Sequence, residues 1–416
     1  MPVKERMKEM EIIKGGVTAA KGFQASAVAA GIKYEGRTDM AMVYSEKPCK
    51  TAGTFTSNVV KAAPVKWDRT QVESGVKSRA VIINSGIANA CTGQEGDDVC
   101  LETARKAAEV LKIDKEAVLI GSTGVIGMQI PMEKLKAGIE KLAENLGEDA
   151  EHGNQAAKAI MTTDTVEKEA AACIEIGGKK VTIGGMAKGS GMIHPNMCTM
   201  LAFVTTDAAI SQKALRKALH ADVQDTFNMI SVDGDTSTND TLLLMANGMA
   251  ENEKIRYGTP EYEQFLEALH YVNETLAKKM AGDGEGATAL FEAKIVGAGT
   301  KEQAKMLAKS IVCSNLTKAA VAGHDANWGR ILCAMGYSGA GFDPEKVDLY
   351  LESRAGKIKL VQDGTALDYS EEKATEILSQ PEVTAIADIK EGKEKAAAWG
   401  CDLTHGYIDI NADYRS

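Results

Sequence analysis
Residues 186–203, MAKGSGMIHPNMCTMLAF, lead from a Gly-rich turn with a lone Lys188 through Pro195-Asn196 into Cys198-Thr199, where an apolar strand begins at once. A hydroxyl residue that opens a buried strand after a strained turn is what a self-cutting N-terminal nucleophile requires. Its Oγ attacks the preceding carbonyl, an N-to-O acyl shift follows, and water releases a chain that starts with the hydroxyl residue. The freed α-amino group has a reference pKa of about 7.7–8.0, so at neutral pH it can act as base for its own hydroxyl. The same residues also read as an ordinary turn before a strand in which Thr199 is a β-branched strand residue, because Gly-rich turns before strands are common.

A second stretch, Ser122 to Gly127 (STGVIG), follows the strand-like run AVLIG. Small residues just past a strand end let N–H groups point at an anion, which an oxyanion hole requires. A tight strand-to-helix turn is the plain alternative. A phosphate loop is weaker, since no Gly-Lys-Ser/Thr follows. Three more clusters are polar and Gly-rich: SVDGDTSTND (231–240), AGDGEGAT (281–288, with Glu285 between two glycines) and GHDANWGR (323–330). Each also reads as a solvated loop. The acidic spacing does not fit a calcium loop, and no two of the six His stand at i, i+4, so no metal is expected.

The 416 residues are 44% hydrophobic and 25% charged, the balance of a soluble globular chain with ample length for a large core. Aromatics are only 5%, so the core must come from Ala, Val, Ile, Leu and 18 Met. A formal charge of −10 argues against a nucleic-acid partner, whose phosphates need Lys and Arg. The eight Cys (49, 91, 100, 173, 198, 313, 333 and 401) form no CxxC pair, so no zinc ribbon is read. The N-terminus is too charged for a signal peptide, and no run reaches the roughly 18 apolar residues of a spanning helix. A cytoplasmic protein without a membrane partner is the expectation.

Strand-like and helical runs alternate. Strands are expected at Ala80–Asn84, Ala117–Ser122, Thr199–Thr205, Thr241–Met245 and Ala289–Val296, with a hairpin over Cys173–Ile183 turning at Gly177-Gly178. Helices are expected at Asp97–Leu111, Pro131–Leu146, Ser211–Ile230, Glu261–Met280, Glu302–Ala320 and Ser370–Leu378. The pattern gives a mixed α/β chain of layered sheets covered by helices, with strand direction unread.

Together these segments resemble the self-cleaving ornithine (glutamate N-) acetyltransferases of arginine biosynthesis. The resemblance runs nearly end to end: FTSN (55–58), NSGIANACTG (84–93), STGVIG, MTTDT from Met161, KGSGMIHPNMCTML from Lys188, GDTSTND, DGEGAT, NWGRI and the C-terminal INADYRS. It implies an α/β fold of the α+β type, central β-sheets sandwiched by helices, the ornithine acetyltransferase/DmpA-like fold. It implies a cut between Cys198 and Thr199 that leaves residues 1–198 and 199–416 as intertwined chains, pairing as α2β2. By resemblance Thr199 is the nucleophile, Thr123 and Gly124 the oxyanion-hole pair, and Thr162, Lys188, Thr199, Glu285, Asn411 and Ser416 bind substrate. Thr163 beside Thr162 leaves that register open by one. Cys198 stands where the family often has Ala, and Ser416 where Thr is common; both replacements preserve size or hydroxyl.

The implied reaction is double displacement. N-acetylornithine acetylates Thr199 and leaves as ornithine, then glutamate's amine takes the acetyl group. No cofactor is implied, and whether acetyl-CoA also serves as co-substrate is left open. An aminopeptidase-like hydrolase, in which water deacylates the enzyme, is the nearest rival reading, and an uncleaved small-molecule binder is the more distant one.

Overall fold
The computed structural model describes residues 10–194 and 200–413. The chain divides into two compact units. Met1–Gly189, Asn196–Phe227 and Thr236–Leu276 form the first; Ser190–Pro195, Asn228–Asp235 and Ala277–Ser416 form the second. Each unit takes residues from both sides of the expected cut after Cys198.

The strands are β1 (Met10–Ile13), β2 (Phe23–Val28), β3 (Met40–Phe55), β4 (Ser78–Asn84), β5 (Val118–Ser122), β6 (Lys168–Ile176), β7 (Lys179–Lys188) and β8 (Leu201–Thr206). They continue with β9 (Ile230–Ser231), β10 (Thr241–Ala246), β11 (Leu290–Ala298), β12 (Asp348–Ser353), β13 (Gly356–Gln362), β14 (Thr365–Ala366), β15 (Glu382–Asp388) and β16 (Glu394–Cys401).

In the first unit nine strands form one sheet in the order β1-β6-β7-β8-β10-β3-β4-β5, with β2 also paired to β3. Its central strands β4, β5, β8 and β10 are buried on both faces, and the two-residue side-chain period sorts the sheet's apolar residues into two cores. Ala41, Val43, Val81, Ile83 and Leu119 face the core that includes Ala156 and Ala157 of the helix Ala150–Ala159. Met40, Met42, Ile82, Val118 and Ile120 face the other, with Val99 and Ala104 of helix Gly93–Leu111 and Leu135 and Ile139 of helix Met132–Glu144. This sheet is therefore covered by helices on both sides, as the resemblance implies.

The hairpin expected at Gly177-Gly178 joins β6 to β7, and both glycines have positive φ, 59° and 76°, which suits a two-residue turn. β7 pairs antiparallel with β8 so that Lys188 faces Leu201. β8 lies parallel to β10, with Leu201 opposite Thr241. The end of β7 and the starts of β8 and β10 thus share one edge of the sheet.

In the second unit seven strands run in the order β14-β13-β12-β15-β11-β16-β9. Helix Lys301–Cys313 buries Ala304, Leu307, Ala308 and Ile311 at helical spacing. Two expected helices are shorter than their periodicity. The one expected over Glu302–Ala320 breaks at Ser314, whose Oγ accepts from Thr317 N and so caps a second helix, Asn315–Ala322. In the first unit, the one expected over Ser211–Ile230 ends at Asp222, and Thr226 donates its hydroxyl back to the Asp222 carbonyl at 2.9 Å.

Candidate active site
Four of the residues expected at the site lie in the first unit, and three of them meet through one ammonium. Lys188, the last residue of β7, is buried, and its Nζ donates to Thr162 Oγ1 at 2.8 Å and to Thr123 Oγ1 at 3.4 Å. It is thus Thr162, not Thr163, whose hydroxyl touches the lysine. Arg37 fixes this loop from outside, donating to the carbonyls of Met161 and Thr162 at 2.8 and 3.0 Å.

A residue the sequence did not single out organises the cluster. Asp164 Oδ1 accepts from Lys168 Nζ and from Gly189 N, both at 2.7 Å, while its Oδ2 accepts from Thr162 N at 3.0 Å and lies 3.9 Å from Lys188 Nζ. Burial pushes the Asp164 carboxyl up, but the charges of Lys188 and Lys168 and the hydrogen bonds outweigh it and hold the group at about 2. One ionised carboxylate thus sits beside two buried ammonium groups. Its position inside the MTTDT string was the available signal.

The Thr123-Gly124 turn caps β5. Thr123 N–H donates to the Asn84 carbonyl at 3.1 Å, so this residue has only its hydroxyl left to offer an oxyanion. Among the described residues the Gly124 N–H makes no hydrogen bond. Gly124 has φ +130°, and a Cβ there would stand 2.2 Å from the Gly86 carbonyl carbon and 2.6 Å from Ile87 N. Only glycine fits. The pair therefore presents one hydroxyl and one backbone N–H.

Asn239, from the GDTSTND string, ties the loop before β10 to this turn: its Nδ2 donates to the carbonyls of Ala88 and Ser122 at 2.6 and 2.8 Å. At the same edge Thr241 N donates to the carbonyl of Met200, the residue directly after Thr199, at 2.8 Å. Thr199 and Cys198 themselves lie outside the described residues, as does Ser416.

The second unit holds Glu285 and Asn411. Glu285 is buried, and its Oε2 accepts from Asn411 Nδ2 at 2.7 Å; Asn411 lies on helix His405–Ala412, which the sequence reading did not foresee. A Cβ on Gly191 would stand 2.3 Å from Glu285 Oε2, so that glycine makes room for the acid. Asp233 holds the chain leading toward the cut, accepting from Met192 N at 2.6 Å and from Ile193 N at 2.9 Å. Tyr407 donates to Asp233 at 3.3 Å; burial and the Asp233 and Glu285 carboxylates push its phenol up. Among the described residues no group of three or more His, Cys, Asp or Glu could hold a metal ion, and no helix is long and apolar enough to cross a membrane.

The model of the ArgJ family matches residues 24–416. The arginine biosynthesis bifunctional protein ArgJ of Caldanaerobacter subterraneus is 51% identical over 407 residues, 98% of this chain and 100% of the relative. The protein so named in Bacillus subtilis is 47% identical over 413 residues, 99% of this chain and 100% of the relative. A crystal structure of arginine biosynthesis bifunctional protein argJ from Bacillus halodurans is 45% identical with a TM-score of 0.49, covering 50% of this chain and 97% of that one. Ornithine acetyltransferase from Mycobacterium tuberculosis, complexed with ornithine, is 42% identical with a TM-score of 0.42, covering 45% of this chain and 98% of that one. With a match over nearly all its length and relatives at half its sequence, the chain belongs to the ArgJ family.

Proposed function
We propose that this chain transfers an acetyl group from N2-acetylornithine to glutamate in arginine biosynthesis, through an acetyl ester on Thr199. The observation that carries the reading is family membership over residues 24–416, among relatives named for arginine biosynthesis. The buried Lys188–Thr162–Thr123 cluster, on the edge where β8 begins, supports it.

Maturation comes first. Thr199 Oγ attacks the Cys198 carbonyl carbon, the C–N bond to Thr199 breaks, and an ester forms. Water cleaves that ester to leave a Cys198 carboxylate and a free Thr199 amine. In the first half-reaction that amine takes the Oγ proton as Oγ attacks the acetyl carbon. The proton passes to the α-nitrogen of ornithine as the acyl C–N bond breaks. In the second, the α-amine of glutamate attacks the ester and its proton returns to Thr199 Oγ. Each tetrahedral oxyanion takes the Thr123 hydroxyl and the Gly124 N–H as donors, each worth roughly a hundred- to a thousand-fold in rate. Lys188 binds a substrate carboxylate, and Glu285 holds the side-chain ammonium of ornithine with Asn411 beside it. Ser416 completes the substrate contacts.

The relatives' designation as bifunctional supports a second acetyl source, so acetyl-CoA is proposed as an alternative co-substrate, with no resident cofactor. The two products of the cut stay together and pair as an α2β2 assembly in the cytoplasm, with small molecules as the external partners. The test is steady-state kinetics with both substrates varied. Parallel double-reciprocal lines and N-acetylglutamate as product are expected. Acetate as sole product indicates the hydrolase, and intersecting lines refute the acetyl-enzyme.

A further inference from the structure
At the end of β10 away from Lys188, the first unit holds a cavity of about 240 Å³ that the reaction as written does not use. Leu201 pairs with both Lys188 and Thr241 at one edge of the sheet, whereas Ala246 pairs with Lys50 at the other. At about 3.4 Å per residue the two edges of β10 stand about 17 Å apart. Three lysines line the cavity: Lys50 of β3, Lys77 directly before β4, and Lys254 from the loop after β10. None of the lining residues is acidic. In a chain of 58 acidic and 48 basic residues, that local excess of positive charge runs against the composition.

The three charges are not answered within the protein. Among the described residues the side chains of Lys77 and Lys254 make no ion pair or hydrogen bond. Lys50 donates to a neutral acceptor, the Ile210 carbonyl, at 2.6 Å. Burial, and then the charges of Lys254 and Lys77, hold the Lys50 ammonium below the ordinary lysine value. At the opposite edge, by contrast, Lys168 and Lys188 have Asp164 beside them. The nearest acid in sequence to the cavity wall, Asp207, is engaged elsewhere, accepting from Lys21 N at 3.1 Å and Thr182 N at 2.8 Å. Gly248, also in the lining and at φ +75°, has an N–H with no hydrogen bond among the described residues, so a backbone donor is left over as well.

We propose that this cavity binds a phosphate group, free or carried by a small molecule, with the ammonium groups of Lys50, Lys77 and Lys254 as its counter-charges. Lysine acts as a point charge and suits phosphate oxygens, whereas the planar arginine fork that matches a carboxylate is absent from the lining. The volume lies below the roughly 300–1,000 Å³ of pockets for drug-sized ligands, so it admits a phosphate group and excludes a whole nucleotide. A phosphate monoester carries a charge of about −1.5 to −2 at pH 7, which offsets most of the repulsion among the three lysines.

The test is calorimetric titration of the full-length protein with inorganic phosphate, at an ionic strength held constant with chloride, together with melting temperatures. Wild type is expected to show a saturable site with a Kd of about 1 mM or below, and a melting temperature that rises with phosphate. Lys77→Gln and Lys254→Gln should each weaken binding at least about tenfold. Without phosphate, both variants should melt at or above the wild-type temperature, because repulsion is relieved, and should keep wild-type acetyl transfer. If one variant does not fold, the other carries the same expectation. Glycerol 3-phosphate separates the sources: tighter binding than inorganic phosphate assigns an organic carrier, weaker binding the free ion, and either upholds the site. Binding weaker than about 1 mM, or an affinity unchanged in both variants, overturns the proposal. So does succinate, a dicarboxylate, if it binds more tightly than phosphate. None of these outcomes depends on whether the chain transfers acetyl groups.

Discussion
Replacing Asp164 with Asn removes a negative charge that two buried ammonium groups, those of Lys168 and Lys188, share. Lys168 has a side-chain exposure of 0% and Lys188 of 9%. Breaking a buried ion pair by deleting one partner costs about 3–5 kcal/mol, mostly from the charge left behind. The carboxyl's displacement gives a second figure. It is held at about 2 against an ordinary 3.8, which is on the order of 2–3 kcal/mol. The two routes bracket the loss at about 2–5 kcal/mol. The sign follows from the lowered value: this stabilisation is present above pH 3.8 and is lost as pH falls through about 2. At about 2 °C per kcal/mol for a unit of this size, Asp164→Asn should melt about 4–10 °C below wild type at pH 7. The variant should also lack the part of the acid instability between pH 4 and 2 that this group causes. Transfer activity falls with it, since Thr162 and Lys188 lose the carboxylate that aligns them. A melting temperature within about 1 °C of wild type, with unchanged activity, would refute the reasoning.

Three further changes read other parts of the account. Gly124→Ala drives a Cβ into the Gly86 and Ile87 backbone and displaces the N–H donor, so acetyl transfer should drop roughly a hundred- to a thousand-fold, measured as kcat. Wild-type kcat in that variant would remove Gly124 from the oxyanion site. Glu285→Gln keeps the shape and the hydrogen bond to Asn411 but loses the charge; the Michaelis constant for N-acetylornithine should rise, and an unchanged value ends the ammonium assignment. His270 is held up at about 10 by hydrogen bonds to Asp222 and then Glu274, against burial. Its stabilisation is full below its ordinary 6.5 and is lost as pH rises through about 10, and it is small because the ring is 40% exposed. In His270→Gln, melting curves should lose that alkaline slope; an identical slope contradicts the assignment.

Local signals were the legible ones. Gly177-Gly178 announced the hairpin between β6 and β7 because positive φ at both positions suits glycine. The apolar runs of β4 and β5 read as strands because both faces are buried, which removes the polar alternation of an exposed sheet. The helix over Glu302–Ala320 was misread because its apolar period continues through Ser314, and only the hydroxyl's reach to Thr317 N shows the break. At the site, Lys188, Thr162 and Thr123 were named from their motifs, but what joins them is tertiary. Asp164 contacts Gly189 and Lys188 from more than 20 residues away, and no periodicity predicts such a contact. Likewise the capture of the Thr123 N–H by Asn84, which leaves that residue only its hydroxyl, depends on β4 and β5 lying side by side.

The central claim is that Thr199 becomes an N-terminal nucleophile, and the most direct test is the intact mass of fresh, folded protein under denaturing conditions, with N-terminal sequencing of each fragment. The account predicts two chains, the second beginning Thr-Met-Leu-Ala-Phe, with that chain heavier by one acetyl group after brief exposure to N-acetylornithine without glutamate. A single unbroken species near 44.2 kDa would contradict it, because the amine on which the mechanism depends would never have been made.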